Sequence, residues 1–183
     1  MVRSFVRVVV AGAILSGLVS CGGDDKVSAS DFASDVCTAV GDWMREIQES
    51  GEGIEGQIDG AGADLGRIKD VIVGFLDDGV DATETVISEV DEAGVPEGDD
   101  GEEIADRIQE AFEEVKAAFE EERDAVEATE SDDPQQLVSQ FEQTQSRLGG
   151  EAIEKAFGPL EEFEDSDVSQ EFQTNDTCQS IGE

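Results

Sequence analysis

From Phe32 onwards the large apolar side chains recur at intervals of three and four residues, and that spacing allows little besides helix. A first set is Phe32, Val36, Val40, Trp43 and Ile47. A second is Leu65, Ile68, Ile72, Phe75, Gly79, Thr83, Val86 and Val90, in which Gly79 and Thr83 are the weak members. A third is Ile104, Ile108, Phe112, Val115, Phe119 and Val126. Each set traces one face of a 3.6-residue period, whereas a half-buried strand would alternate every second residue.

The boundaries follow from capping chemistry. Ser30 is the expected N-cap of a first helix ending near Glu49. Ser50–Gly62 holds five glycines and reads as a loop. A phosphate-cradling role for it would need a following Lys-Ser/Thr or a strand–turn–helix setting, and neither is present. The second helix is expected over 63–90, with Pro96 closing the segment. Gly74 and Gly79 each cost about 1 kcal/mol relative to Ala, so Asp77-Asp78-Gly79 is where it could break. A third helix follows Asp99-Asp100, whose charges suit its amino-terminal dipole, and ends near Ser131. Asp133-Pro134 opens a fourth, with Pro in the first helical position and Leu137, Phe141, Thr144 and Leu148 facing inward. Gly149-Gly150 interrupts it, a short piece over 151–157 stops at Gly158-Pro159, and Leu160, Phe163 and Phe172 close the core. The expected fold is all-α: an elongated antiparallel bundle of about four helices over residues 30–183.

Acid precedes base at Asp42 and Arg45, Asp64 and Arg67, Glu103 and Arg107, Glu113 and Lys116, Glu120 and Arg123, and Glu151 and Lys155. All are spaced for pairing along one helix. With 38% hydrophobic residues, the core is expected to be thin or elongated.

The chain has 47 acidic residues, 11 basic ones and no His. Nucleic acid is bound by clustered Lys and Arg, and there is no such cluster. Docking on anionic lipid through a basic patch fails for the same reason. Without His, the Ser–His–Asp and Cys–His arrangements and every His-containing metal site are excluded. The acidic runs Asp99-Asp100, Glu120-Glu121-Glu122 and Glu161-Glu162 read as solvated surface. A catalytic carboxylate pair needs an apolar pocket to lift one pKa, and adjacent helix residues do not make one. A calcium loop of the EF-hand type fails at both candidate glycines, Gly79 and Gly101, and Asp165-Ser166-Asp167 with Glu171 is too loose. No cofactor, metal site or enzymatic activity is expected. Trp43, the single Trp, lies on the first stripe and is expected in the core.

The amino-terminal segment differs from everything that follows. Residues 1–20 hold Arg3 and Arg7 and no acid, and Val8–Val19 is an apolar run of twelve residues. A spanning helix needs about 20 apolar residues, so this run is too short to cross a membrane. It ends in Leu18-Val19-Ser20-Cys21, an aliphatic residue at −3 and a small one at −1 before a Cys. The segment resembles the signal and lipobox of bacterial lipoproteins. That resemblance implies a diacylglyceryl group on the Cys21 thiol and cleavage of the Ser20–Cys21 bond. The domain would then sit on the extracytoplasmic face of the cell membrane, held through its lipid. Losing residues 1–20 removes two of the 11 basic residues and no acid, leaving a formal charge of −38. Residues 21–29 read as a flexible tether.

With Cys21 taken by lipid, Cys37 and Cys178 remain as an even pair in an oxidising compartment, and a disulfide between them is expected. It would close a loop of 141 residues, which the chain-entropy model values at about 5 kcal/mol as an upper figure. The layout also resembles small helical lipoproteins of unassigned function from high-GC Gram-positive bacteria, through Cys37, Trp43, Cys178 and Gln179; this brings no activity with it. Asn175-Asp176-Thr177 matches a glycosylation acceptor, which has no weight in a bacterial chain. The expected role is a non-enzymatic interaction or structural module of the envelope with a protein partner. The alternative is a carrier of an apolar ligand or a cation between its helices.

Overall fold

A computed structural model describes residues 26–130, 134, 135, 137–139, 141, 158, 163 and 165–181. Ser20, Cys21, Thr144, Leu148, Leu160 and the piece over 151–157 lie outside the described residues. The fold is all-α, a bundle whose long described helices are α1 (Ala29–Glu52), α3 (Leu65–Ala93) and α4 (Gly101–Ala128). Between the first two lies the short α2 (Ile54–Ala61), and α5 (Asp167–Thr174) and α6 (Asp176–Gln179) complete the order. Pro134, Gln135, Leu137, Val138, Ser139 and Phe141 are helical as well.

Helix α3 lies between α1 and α4 and packs against both. Its contacts run antiparallel on each side. Trp43 reaches Thr83 and Ser50 reaches Asp78, while Lys116 meets Glu84 and Arg123 meets Asp77. As one residue number rises its partner's falls. The three stripes supply the core: Phe32, Ile68, Ile72, Ile104, Ile108, Phe112 and Phe119 are all buried. Leu137 and Phe141 are buried too, with Phe141 edge-on to Phe75 at 5.4 Å between ring centroids.

Several boundaries differ from the sequence reading, each for a local reason. Helix α1 starts earlier because Ser28, not Ser30, is its N-cap, its hydroxyl accepting from the Asp31 N–H at 3.1 Å. The glycine-rich stretch after it is helical rather than a loop. Within it Ile54, Ile58 and Ala61 are spaced four and three apart; Ile54 and Ala61 are buried, and Ile58 packs against the core. This stripe lays α2 against α3 and outweighs the glycines' low propensity. Residues 27–29, expected within the tether, belong to the bundle, because Ala29 opens α1 and Val27 pairs with the α3–α4 turn. Its N–H donates to the Val95 carbonyl at 2.9 Å, and its carbonyl accepts from the Glu97 N–H at 2.7 Å.

Helix α3 runs unbroken through Asp77-Asp78-Gly79. A Cβ on Gly79 would overlap the ring of Phe119, which is itself 2% exposed. The glycine admits that ring and lets α4 approach. Thr83, one turn on, is fully buried. Its hydroxyl donates to the Gly79 carbonyl at 2.7 Å and accepts from the Trp43 indole N–H at 3.0 Å. Trp43 is thus in the core, edge-on to Phe112 at 5.9 Å.

The two helical glycines of α3 should respond oppositely to the same change. Gly74 is exposed and nothing lies within 4 Å of its virtual Cβ, so Gly74→Ala should stabilise by about 1 kcal/mol. Gly79→Ala gains the same propensity but forces a buried ring to move, which costs about 1–3 kcal/mol. Thermal unfolding should therefore show a higher midpoint for Gly74→Ala and a lower one for Gly79→Ala. Equal shifts would mean that Phe119 does not pack on Gly79.

Candidate functional site

Two groups of residues could do more than hold the bundle together: the cysteine bridge with its surroundings, and the charged groove between α3 and α4. Cys37 and Cys178 are joined, with Cα atoms 5.0 Å apart. Cys37 is 1% exposed on the inner face of α1, and Cys178 is half-buried on α6. Cap residues position the second cysteine. Ser166 caps α5 by accepting from the Ser169 N–H at 3.0 Å. Asn175 caps α6 by accepting from the Thr177 N–H at 2.9 Å, and its amide donates to the Ser30 carbonyl at 3.4 Å. Phe172 meets Phe32 edge-on at 6.0 Å, which holds α5 along the start of α1. Asp165-Ser166-Asp167 and Asn175-Asp176-Thr177 are thus helix starts, where acids and short polar side chains are favoured.

Beside the bridge lies a groove of about 660 Å³ between α1 and α6. Its lining includes Gly41, Asp42, Met44, Arg45 and Ile181. Arg45 is paired with Asp42 at 2.7 Å, along the helix as its spacing predicted. The groove thus offers a thioether and an aliphatic side chain beside one neutralised ion pair.

The second groove, of about 670 Å³, runs between α3 and α4 and is lined by Glu84, Asp91, Glu113, Lys116 and Glu120 among others. Lys116 crosses it to Glu84 of α3 instead of pairing along α4. The hydrogen bond that the Lys116 ammonium donates to the Glu84 carboxylate holds its pKa above the usual lysine range, with Glu120 and Glu113 adding to it electrostatically. Arg123 likewise reaches Asp77 of α3 at 3.3 Å and its neighbour Asp124 at 3.2 Å. Those two carboxylates raise the guanidinium's already high pKa. Lys69 of α3 donates to the Thr129 carbonyl at the end of α4, a cation where that helix has no basic residue in its last turn.

Among the described residues of the acidic runs, Glu120 alone lines either groove, at the one that Lys116 crosses. Asp99 and Asp100 are exposed, and Glu120-Glu121-Glu122 lies along the outer side of α4, partly or fully exposed. Glu161-Glu162 lies outside the described residues. Among the described residues, no three His, Cys, Asp or Glu side chains come together as a metal site, and no helix is long and apolar enough to cross a membrane. Sequence reasoning found the cysteine pair by count, and it missed the cross-helix partners of Lys116 and Arg123, which depend on how α3 and α4 align.

Comparison of the chain with protein-family models, with curated proteins and with solved structures finds no match.

The bridge ties the start of α1 to the carboxyl-terminal helices across 141 residues of sequence. Reduction, or the double substitution Cys37→Ser with Cys178→Ser, should therefore destabilise the domain by up to about 5 kcal/mol. At about 2–4 °C per kcal/mol for a chain of this size, the midpoint should fall by roughly 10–20 °C. An unchanged melting curve under reductant would show that the pairing does not restrain the unfolded chain.

Proposed function

We propose that the protein is an extracytoplasmic lipoprotein, anchored through diacylated Cys21, whose helical domain is a non-enzymatic interaction or structural module of the cell envelope. The observation that carries the reading is the division of labour among three cysteines. Cys37 and Cys178 are joined to each other, a state that persists in oxidising compartments. The third, Cys21, stands at the end of a twelve-residue apolar run, behind Leu18-Val19-Ser20. One acyl chain gives marginal membrane binding and two give stable anchoring, so a diacylated Cys21 would hold even a strongly anionic domain.

The bundle's own chemistry supports a binding rather than a catalytic role. Among the described residues, Lys116 and Arg123 are engaged at the surface by acids of the neighbouring helix, and the buried contact of Trp43 with Thr83 is structural. A second reading, a carrier of an apolar ligand or a cation, is favoured by the groove holding Met44 and Ile181 beside the cysteine bridge. The two differ in what they predict for the native protein: a carrier purifies with a small ligand, and a module crosslinks to another envelope protein.

The anchor is tested first. Cys21→Ala should abolish incorporation of labelled palmitate and leave the protein unprocessed or released from the membrane. If the variant still takes up palmitate and fractionates with membranes, the anchor is elsewhere and the reading is wrong.

A further inference from the structure

We infer that the bundle stands on the membrane by one end, with the α3–α4 turn against the lipid headgroups and α2 at the far end. This rests on the anchor at Cys21 proposed above. The chain leaves the bundle at Val27, which is not free: it is paired through both its N–H and its carbonyl with Val95 and Glu97 of the turn. From Cys21 to Val27 there are six residue steps, and fully extended chain covers at most about 3.6 Å per step. The lipid is therefore within about 20 Å of the turn. Helix α3 has 29 residues and, at about 1.5 Å each, is about 43 Å long, so its α2 end lies beyond that reach.

The same end gathers the other chain segments. Gly98 of the turn lies beside Val168 at the start of α5, and α1 and α4 both begin there. Buried Gly101 fixes the turn, since a Cβ on it would overlap the Pro96 carbonyl. Charge selects the upright posture over lying flat. An anionic surface acts over a Debye length of about 8 Å at physiological salt. Upright, the bundle brings the exposed acids of this end near that layer, Glu97, Asp99, Asp100, Glu102 and Glu103 of the turn and α4 with Asp31, Asp165 and Asp167 at the starts of α1 and α5. Lying flat would bring the acids along a whole side of α3 or α4 into it. The partner surface is thus a lipid bilayer, approached and not penetrated, and the α2 end is what the domain presents outward.

The test uses the full lipidated chain in vesicles of mixed neutral and anionic lipid bearing a headgroup quencher. A fluorophore is attached at Asp99→Cys or at Asp59→Cys, both exposed positions, with the Cys37–Cys178 bridge kept oxidised. Quenching should be several-fold stronger at position 99 than at 59. Inserting about twenty Gly/Ser residues before Lys26 should reduce it at 99 towards the level at 59, because the tether's reach then no longer confines the turn. Mass spectrometry of the amino-terminal peptide separates the two ways of failing. Lipid on Cys21 with equal or reversed quenching overturns the orientation alone. Absence of lipid on Cys21 overturns the anchor and the orientation with it.

Discussion

One turn of α3, from Gly79 to Thr83, brings all three long helices together. The Thr83 hydroxyl sits between two polar groups, donating to the Gly79 carbonyl and accepting from Trp43 of α1. The Trp43 ring packs on Phe112 of α4, and Phe119 of α4 fills the space that Gly79 leaves open. A buried indole N–H without a partner costs about 1–3 kcal/mol, so α1 can sit where it does only if Thr83 faces it. The register of both helix pairs is fixed at this point. The apolar stripes then need only to be roughly complementary, since cores tolerate varied side chains when volume and pattern are kept.

Those two residues, Gly79 and Thr83, are the ones that weaken the second stripe when the sequence is read by hydrophobicity. Periodicity identifies which face of α3 is inward, and it does so well enough to fix the fold class and the extents of α1, α3 and α4 to within a few residues. It cannot say that a glycine on that face receives a ring from a helix 40 residues later. Helix α2 was hidden for a related reason: five glycines dominate its neighbourhood, while the Ile54, Ile58 and Ala61 stripe is too short to stand out. The pairing of Val27 with Val95 leaves no periodic trace, because it joins two irregular segments 68 residues apart. The cysteine bridge was legible because two cysteines remained once Cys21 was assigned elsewhere, an argument from chemistry and not from pattern.

The acidic surface shapes how the few cations are used. Pairs along one exposed helix are each worth only a few tenths of a kcal/mol. Lys116 and Arg123 instead reach from α4 to acids of α3, and Lys69 reaches from α3 to the end of α4. Each thus lies across the seam where two anionic helices run side by side and repulsion between them is greatest. The gain per contact is small, since these side chains are solvated, but each cation offsets part of the negative charge at the seam.

Among the described residues, the covalent bridge and the Val27 backbone pairing lie towards one end. Val27 pairs with the α3–α4 turn, Phe172 packs on Phe32, and the bridge joins Cys178 to Cys37. The α2 half of α3 is held by Ile54 and Ala61 of α2, by Phe141 against Phe75 and by Lys69 on the Thr129 carbonyl. Opening free energies in a protein vary with local contact and constraint, and segments held by few buried side chains open first. Among the described residues, the end where the chain enters from Val27 carries the covalent restraint and the α2 end does not. The anchor proposed at Cys21 would hold the restrained end at the bilayer and leave the α2 end exposed to the surroundings.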